Sequence, residues 1–151
     1  MSTTNRTATT VDHATFTITF QRSFAAPREQ VFEAWTRPDQ LAEWWDPTGA
    51  RLPTCQIDLR PGGAFRFVNE GHSPPFAGEY LVVEPPARLV FTAMGSVGTV
   101  LLATDGRATR MTVTIRCAST EHLEQFLKLG VADGTDRTLD NLVAFVVRRA
   151  A

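Results

Sequence analysis

Apolar side chains recur along the chain with two different periods. Phe16, Ile18 and Phe20 alternate with Thr15, Thr17, Thr19 and Gln21, the every-second-residue rhythm of a strand with one buried face. The rhythm then lengthens. Pro27 stands where a first helical position belongs, Glu29 follows in the first turn, and Val31, Ala34 and Trp35 form a stripe at helical spacing. Pro38 ends that helix, because the residue ahead of a proline is pushed out of the helical region. A second short helix is predicted over Asp39–Trp45, with Leu41, Trp44 and Trp45 as its apolar side, before Pro47 and Gly49 break it.

Six further strands follow in the pattern, over Leu52–Leu59, Ala64–Glu70, Phe76–Val83, Arg88–Met94, Val97–Ala103 and Ala108–Cys117. Turn residues separate them: Pro61-Gly62-Gly63, Gly71 to Pro75, Pro85-Pro86, Gly95-Ser96 and Asp105-Gly106. Gaps this short suit hairpins, so the sheet is expected to be antiparallel. After Ser119, an expected N-cap, the period returns to that of a helix. Leu123, Phe126, Leu127, Val131, Leu142, Phe145 and Val146 share one side, with Gly130 and Gly134 on the same stripe. One long helix is predicted, with Asp133-Gly134-Thr135 as the point where it would split. Residues 1–13 are Thr-rich and poor in large apolar side chains, which predicts a mobile tail ahead of a single domain over 14–151.

These elements predict an α+β fold. A seven-stranded antiparallel sheet has one apolar face, and only the terminal helix is long enough to cover it. Gly130 and Gly134 remove side chains from the helix surface facing the sheet, while Phe65, Phe67, Phe76, Tyr80, Phe91 and Met111 stand opposite. Either the aromatics fill that space or room is left for a guest. The residues alone leave both outcomes open.

Composition narrows the function classes. With 151 residues, 43% hydrophobic and 21% charged, the chain is sized for one globular domain. Lys and Arg number 15 against 16 Asp and Glu, a net charge of -1. That balance lacks the basic excess that holds a protein on nucleic acid or an anionic membrane. No apolar run approaches the ~20 residues of a membrane span. No signal-like segment opens the sequence, so a cytoplasmic location is expected, and Cys55 and Cys117 are read as small core residues of a reducing compartment.

The stretch FQRSFAAPREQVFEAWTRPDQLAEWWDP, Phe20 to Pro47, carries Arg22-x-Phe24-x-Ala26, then Val31-Phe32-x-Ala34-Trp35-Thr36-x-Pro38, then Trp44-Trp45-x-Pro47. Downstream stand Arg60-Pro61-Gly62-Gly63, Gly78-Glu79-Tyr80, Pro85-Pro86-Ala87-Arg88-Leu89 and Leu139-x2-Leu142. In order and spacing this resembles the activator of heat-shock-protein-90 ATPase homologue family, within the START/SRPBCC superfamily, over about residues 15–149. The resemblance implies the helix-grip fold, a sheet wrapped around the last helix with a central apolar cavity. It tilts the balance toward an open interior. Members often carry Gly-Trp in the last helix, whereas here Thr135 follows Gly134.

Candidate chemistry is sparse. His13 lies in the tail, His72 in a Gly/Ser/Pro loop near Glu70, and His122 beside Glu121 in a first helical turn, where both are expected to be solvated. No metal-ligand spacing occurs, and neither a metal nor a cofactor is expected. Glu79, Arg66 and Arg88 belong to the wet face, where cross-strand ion pairs each contribute less than about 1 kcal/mol. The expected function is binding of a small hydrophobic molecule, aromatic or polycyclic, between the sheet and the last helix. The candidate wall residues are Trp44, Phe65, Phe67, Phe76, Tyr80, Phe91, Met111, Phe126, Gly130 and Gly134, with Tyr80 and Trp44 orienting the guest and Trp44 the more inward of the two adjacent tryptophans. The alternatives are an enzyme of the cyclase, hydratase or hydrolase kind in the same cavity, or a chaperone-activator-like interaction module. Homodimerisation through a strand edge or Trp45 also stays open.

Overall fold

The computed structural model describes residues 6–71 and 74–150. In chain order it comprises β1 (Arg6–Asp12), β2 (Thr17–Phe24), α1 (Arg28–Thr36), α2 (Pro38–Trp44), β3 (Thr54–Ile57) and β4 (Ala64–Val68). There follow β5 (Phe76–Glu84), β6 (Arg88–Ala93), β7 (Ser96–Asp105), β8 (Ala108–Arg116), α3 (Thr120–Lys128) and α4 (Val131–Ala150). All strands join one antiparallel sheet in the order β1-β2-β8-β7-β6-β5-β4-β3. The first long strand of the sequence pattern, β2, pairs with the last, β8, in register from Thr17↔Arg116 to Phe24↔Thr109. The predicted antiparallel α+β architecture with a long C-terminal helix is the one observed.

Three expectations are corrected. The sheet has eight strands instead of seven, because Arg6–Asp12, expected within the mobile tail, pairs with β2 from Arg6↔Ser23 to Asp12↔Thr17. An edge strand needs backbone partners more than apolar side chains, and its threonines favour extended backbone. Asp12 Oδ1 caps the turn by accepting the Ala14 N–H at 2.9 Å. Residues 1–5 of the expected tail lie outside the described residues.

The terminal helix is also divided. The break falls at Leu129-Gly130 instead of Asp133-Gly134-Thr135. Gly130 adopts φ +79°, a left-handed conformation that ends α3, and α4 then runs without interruption through Gly134, whose N–H reaches the Gly130 carbonyl at 2.9 Å. The third correction is β3, which spans only Thr54–Ile57 of the predicted Leu52–Leu59. Leu52 instead donates its N–H to the Ala42 carbonyl at 3.0 Å, joining the strand's approach to α2.

The core forms where α4 meets the sheet and the short helices. Ile18, Phe20 and Phe24 of β2 are buried with Leu139, Leu142 and Val146 of α4. One inward position of β2 is charged. Arg22, 1% exposed, places Nη2 3.1 Å from Asp136 Oδ1 and 3.4 Å from Asp140 Oδ1, and Thr9 Oγ1 donates to the same Asp136 oxygen at 2.7 Å. This network ties β1, β2 and one side of α4 together. No described helix is long and apolar enough to cross a membrane.

Candidate functional site

The space between sheet and helix is filled at one end and hollow at the other. The filled end belongs to β4 and β5. Phe65 stacks on Phe67 at 5.1 Å and Phe76 at 5.8 Å, and meets Tyr80 at 5.1 Å and Phe91 edge-on at 5.6 Å. Trp45 closes over this group, 5.0 Å from both Phe67 and Phe76. Rings this close contribute beyond their buried area. One glycine makes room for them: a β-carbon on Gly98 would stand 2.6 Å from the ring of Phe91, its partner on the neighbouring strand, whereas one on Gly78, opposite Phe65, would first collide with the Thr92 carbonyl. Only a void of about 10 Å³, roughly one water, persists among Trp35, Leu41, Phe65, Phe67, Tyr80 and Leu89.

The hollow end lies between β6, β7 and β8 on one side and α3 and α4 on the other. It is a cavity of about 260 Å³. Trp35, Trp45, Phe76 and Phe91 form its wall toward the filled end, while Ala93, Gly98, Val113 and Ile115 form its sheet wall. Its helical wall is the stripe Val131, Gly134, Thr135, Thr138 and Leu139, at helical spacings of three and four. Those side chains are small until Leu139. Further along, the buried set of α4 becomes Leu142, Val143, Phe145 and Val146, and the space closes. Among the described residues no ionisable side chain lines the cavity. Two of its hydroxyls are already committed: Thr138 Oγ1 donates to the Trp45 carbonyl at 3.0 Å, and Ser96 Oγ to the Ala93 carbonyl at 2.7 Å.

Met94, 58% exposed, stands on the cavity rim in the turn between β6 and β7, where Met94 and Gly95 both take left-handed backbone. His122 fastens that turn to α3. Its Nδ1 accepts the Ala118 N–H at 3.0 Å, which leaves Nε2 to donate to the Met94 carbonyl at 3.1 Å, and the ring meets Phe126 edge-on at 4.5 Å. The expectation of a solvated His122 is therefore corrected. With both nitrogens bonded to backbone, it is a fastening between elements, while Glu121 is exposed. Ser119 is the expected N-cap, accepting the His122 N–H at 3.1 Å. His72 lies outside the described residues.

Of the candidate wall residues, Phe76, Phe91, Phe126 and Gly134 line the cavity. Phe65, Phe67 and Tyr80 line only the small void behind it. Trp44 is the inner of the two tryptophans, 1% exposed, with its indole N–H donated to the Ala34 carbonyl at 3.0 Å; it is core, and Trp45 takes the place on the wall. Met111 is fully buried away from the cavity, and Gly130 serves the helix break. Trp35, Val131, Thr135, Thr138 and Leu139 also line the cavity and are not among the candidate wall residues, while Trp45, the outer of the two tryptophans, lies on the wall. The helical stripe was the signal that could have found the four on α4.

Electrostatics set the state of the nearby groups. Burial pushes the Cys55 thiol up to about 11, partly offset by Arg51, and burial also raises Cys117; both cysteines are free. The Tyr80 phenol is likewise held well above its ordinary range by burial, with Cys55 adding to the effect. Neither thiol is primed as a nucleophile. Beside the cavity, burial alone would raise the Asp46 carboxyl. Asn69 Nδ2 at 2.9 Å, Thr48 Oγ1 at 2.7 Å and the Thr48 N–H at 2.8 Å outweigh burial and hold it below the ordinary carboxylate range. The Asp46 carbonyl accepts from Asn141 Nδ2 at 3.0 Å, anchoring the segment after α2 to α4. Among the described residues no group of three or more His, Cys, Asp or Glu is placed to hold a metal ion.

Comparison with known proteins agrees with this fold. The family described as Activator of Hsp90 ATPase homolog 1-like protein matches residues 25–146. Among solved structures, a Rhodobacter sphaeroides protein is 23% identical with a TM-score of 0.83, over 95% of this chain and 99% of its own. A Mycobacterium smegmatis protein is 24% identical with a TM-score of 0.82, over 94% and 98%. One from Nitrosomonas europaea is 23% identical with a TM-score of 0.82, over 92% and 98%. At these identities the likeness shows the fold. Among curated proteins, none matches.

Proposed function

The chain belongs to the Activator of Hsp90 ATPase homolog 1-like family, and on that premise we propose that it binds a small, uncharged, mainly apolar molecule between sheet and α4. The observation that carries this reading is a 260 Å³ cavity walled by aromatic and small side chains with no ionisable side chain among them. A charged guest would lose its hydration there without a partner to replace it. An apolar one gains about 25 cal/mol for each Å² it removes from water. The volume lies just below the ~300–1,000 Å³ of ordinary small-molecule sites and above the ~150 Å³ that holds benzene. It therefore favours one or two rings over a larger polycycle. We place this activity in the cytoplasm, in keeping with two free thiols.

An enzyme of the cyclase or hydrolase kind needs a positioned acid, base or nucleophile in the cavity, and no described wall residue supplies an ionisable one. Homodimerisation through Trp45 ranks behind binding, since Trp45 packs on Phe67 and Phe76 within the fold.

Trp35 and Trp45 provide the readout. Titration with naphthalene should change their fluorescence saturably, and 2-naphthoate at tenfold higher concentration should not. Equal binding of both would contradict the uncharged-guest reading, and binding of neither would contradict the reading as a whole.

A further inference from the structure

We propose that Gly134 is the residue that sets the largest guest the cavity accepts, an inference that rests on the binding reading above. Glycine is disfavoured inside a helix because it gives up the most backbone freedom on folding. A helix keeps one where another backbone packs too closely for a side chain, or where φ must be positive. Neither reason holds at Gly134. It lies within α4 with its N–H in a regular helical bond to Gly130, and it is absent from the positive-φ positions. A β-carbon built on it meets nothing within 4 Å.

The other interior glycines behave differently. At Gly63 and Gly78 an added β-carbon collides with backbone, and at Gly98 it meets the Phe91 ring. Those are packing glycines, whereas Gly134 faces open space, and that space is the cavity it lines. It is central to the stripe of Val131, Thr135, Thr138 and Leu139, with Phe91 and Phe126 also in the wall. A leucine or isoleucine there would extend the core seen at Leu142 and Val146 into the hollow. The helix is held below its intrinsic stability at a position where a side chain would extend into the guest's volume. Size selection follows: residue 134 limits the guest from the helical wall, and glycine leaves room for two fused rings.

The test compares the full-length chain with Gly134→Ala and Gly134→Leu, by thermal melting without ligand and by Trp fluorescence titration with toluene and naphthalene. Gly134→Ala should melt about 2–4 °C above wild type, since better helix propensity meets no clash. Gly134→Leu should melt no lower than wild type, keep toluene affinity within about threefold, and lose naphthalene affinity by about tenfold or more, a factor worth about 1.4 kcal/mol. Wild-type affinity for naphthalene in Gly134→Leu would overturn the size limit while leaving the binding reading intact. A lower melting temperature in Gly134→Ala would also overturn it, by revealing a packing role. If wild type bound neither arene, the binding reading would fail and this inference with it, whatever the melting order.

Discussion

The ring of Phe91 lies against Gly98, its partner across the β6–β7 pair, and a β-carbon on residue 98 would stand 2.6 Å from two of its ring carbons. Phe91 is at once a member of the aromatic group around Phe65 and a wall of the cavity. Gly98 thus fixes where the filled end stops and the hollow begins. Gly98→Ala should push the ring away from the sheet, into the cavity. The expected cost is about 1–3 kcal/mol of stability by urea unfolding, the usual range for overpacking, with weaker naphthalene binding. A variant as stable as wild type would mean that the ring moves freely and does not mark the boundary.

Arg22 makes the second prediction. Its guanidinium is buried against Asp136, whose side chain is 29% exposed, and its Nε has no partner among the described residues. Removing one member of a buried pair is costly, but a partly hydrated partner softens the loss. Arg22→Ala should destabilise by about 2–3 kcal/mol. Arg22→Met keeps the volume and discards the orphaned donor, so it should cost less than half as much. Equal losses would place the stabilisation in the ion pair and not in the packing of the stem.

Asp46 predicts an acid dependence. Its folded carboxyl lies below the ordinary carboxylate range, so the folded state binds this proton less readily than the unfolded chain. The stabilisation is present above the unfolded value of about 3.9 and is lost as pH falls through the lower folded value. Asp46→Asn should therefore be less stable than wild type at pH 7, and the gap should narrow below about pH 4. A gap independent of pH would assign the effect to geometry alone.

Cys55 predicts the opposite slope at high pH. With its thiol raised to about 11, the folded state holds a proton that the unfolded chain gives up near 8.5. Its contribution is complete below the unfolded value and is lost as pH rises toward 11. Native protein at pH 8 should react slowly with a thiol reagent, and urea-unfolded protein quickly. Fast native labelling at Cys55 would contradict the burial that raises it.

Most of the architecture was legible because alternation and helical spacing report directly on which face is buried. β2 and the β5–β8 meander needed nothing more than their pleat and their turns. β1 escaped because a strand held by backbone pairing leaves no apolar signature, and the helix break was misplaced by one candidate glycine. At Gly130 the chain needs left-handed backbone, whereas at Gly134 it needs only an absent side chain, and a sequence does not separate those two uses. The site was half legible. Aromatic residues mark places where a sheet meets something large, but not whether that is another ring, as at Phe65, or a void, as at Phe126. The clearer signal lay in α4, where the inward stripe is small from Val131 to Thr138 and large from Leu139 onward.

The central claim is that the interior is hollow next to Gly134 and takes an uncharged guest. Its most direct test is a crystal of the protein equilibrated with naphthalene or pressurised with xenon. Density is expected between Phe91, Phe126 and Gly134, with the surrounding side chains close to their ligand-free positions. A crystal with Phe91 or Phe126 swung into that space, and no density for either probe, would contradict the account.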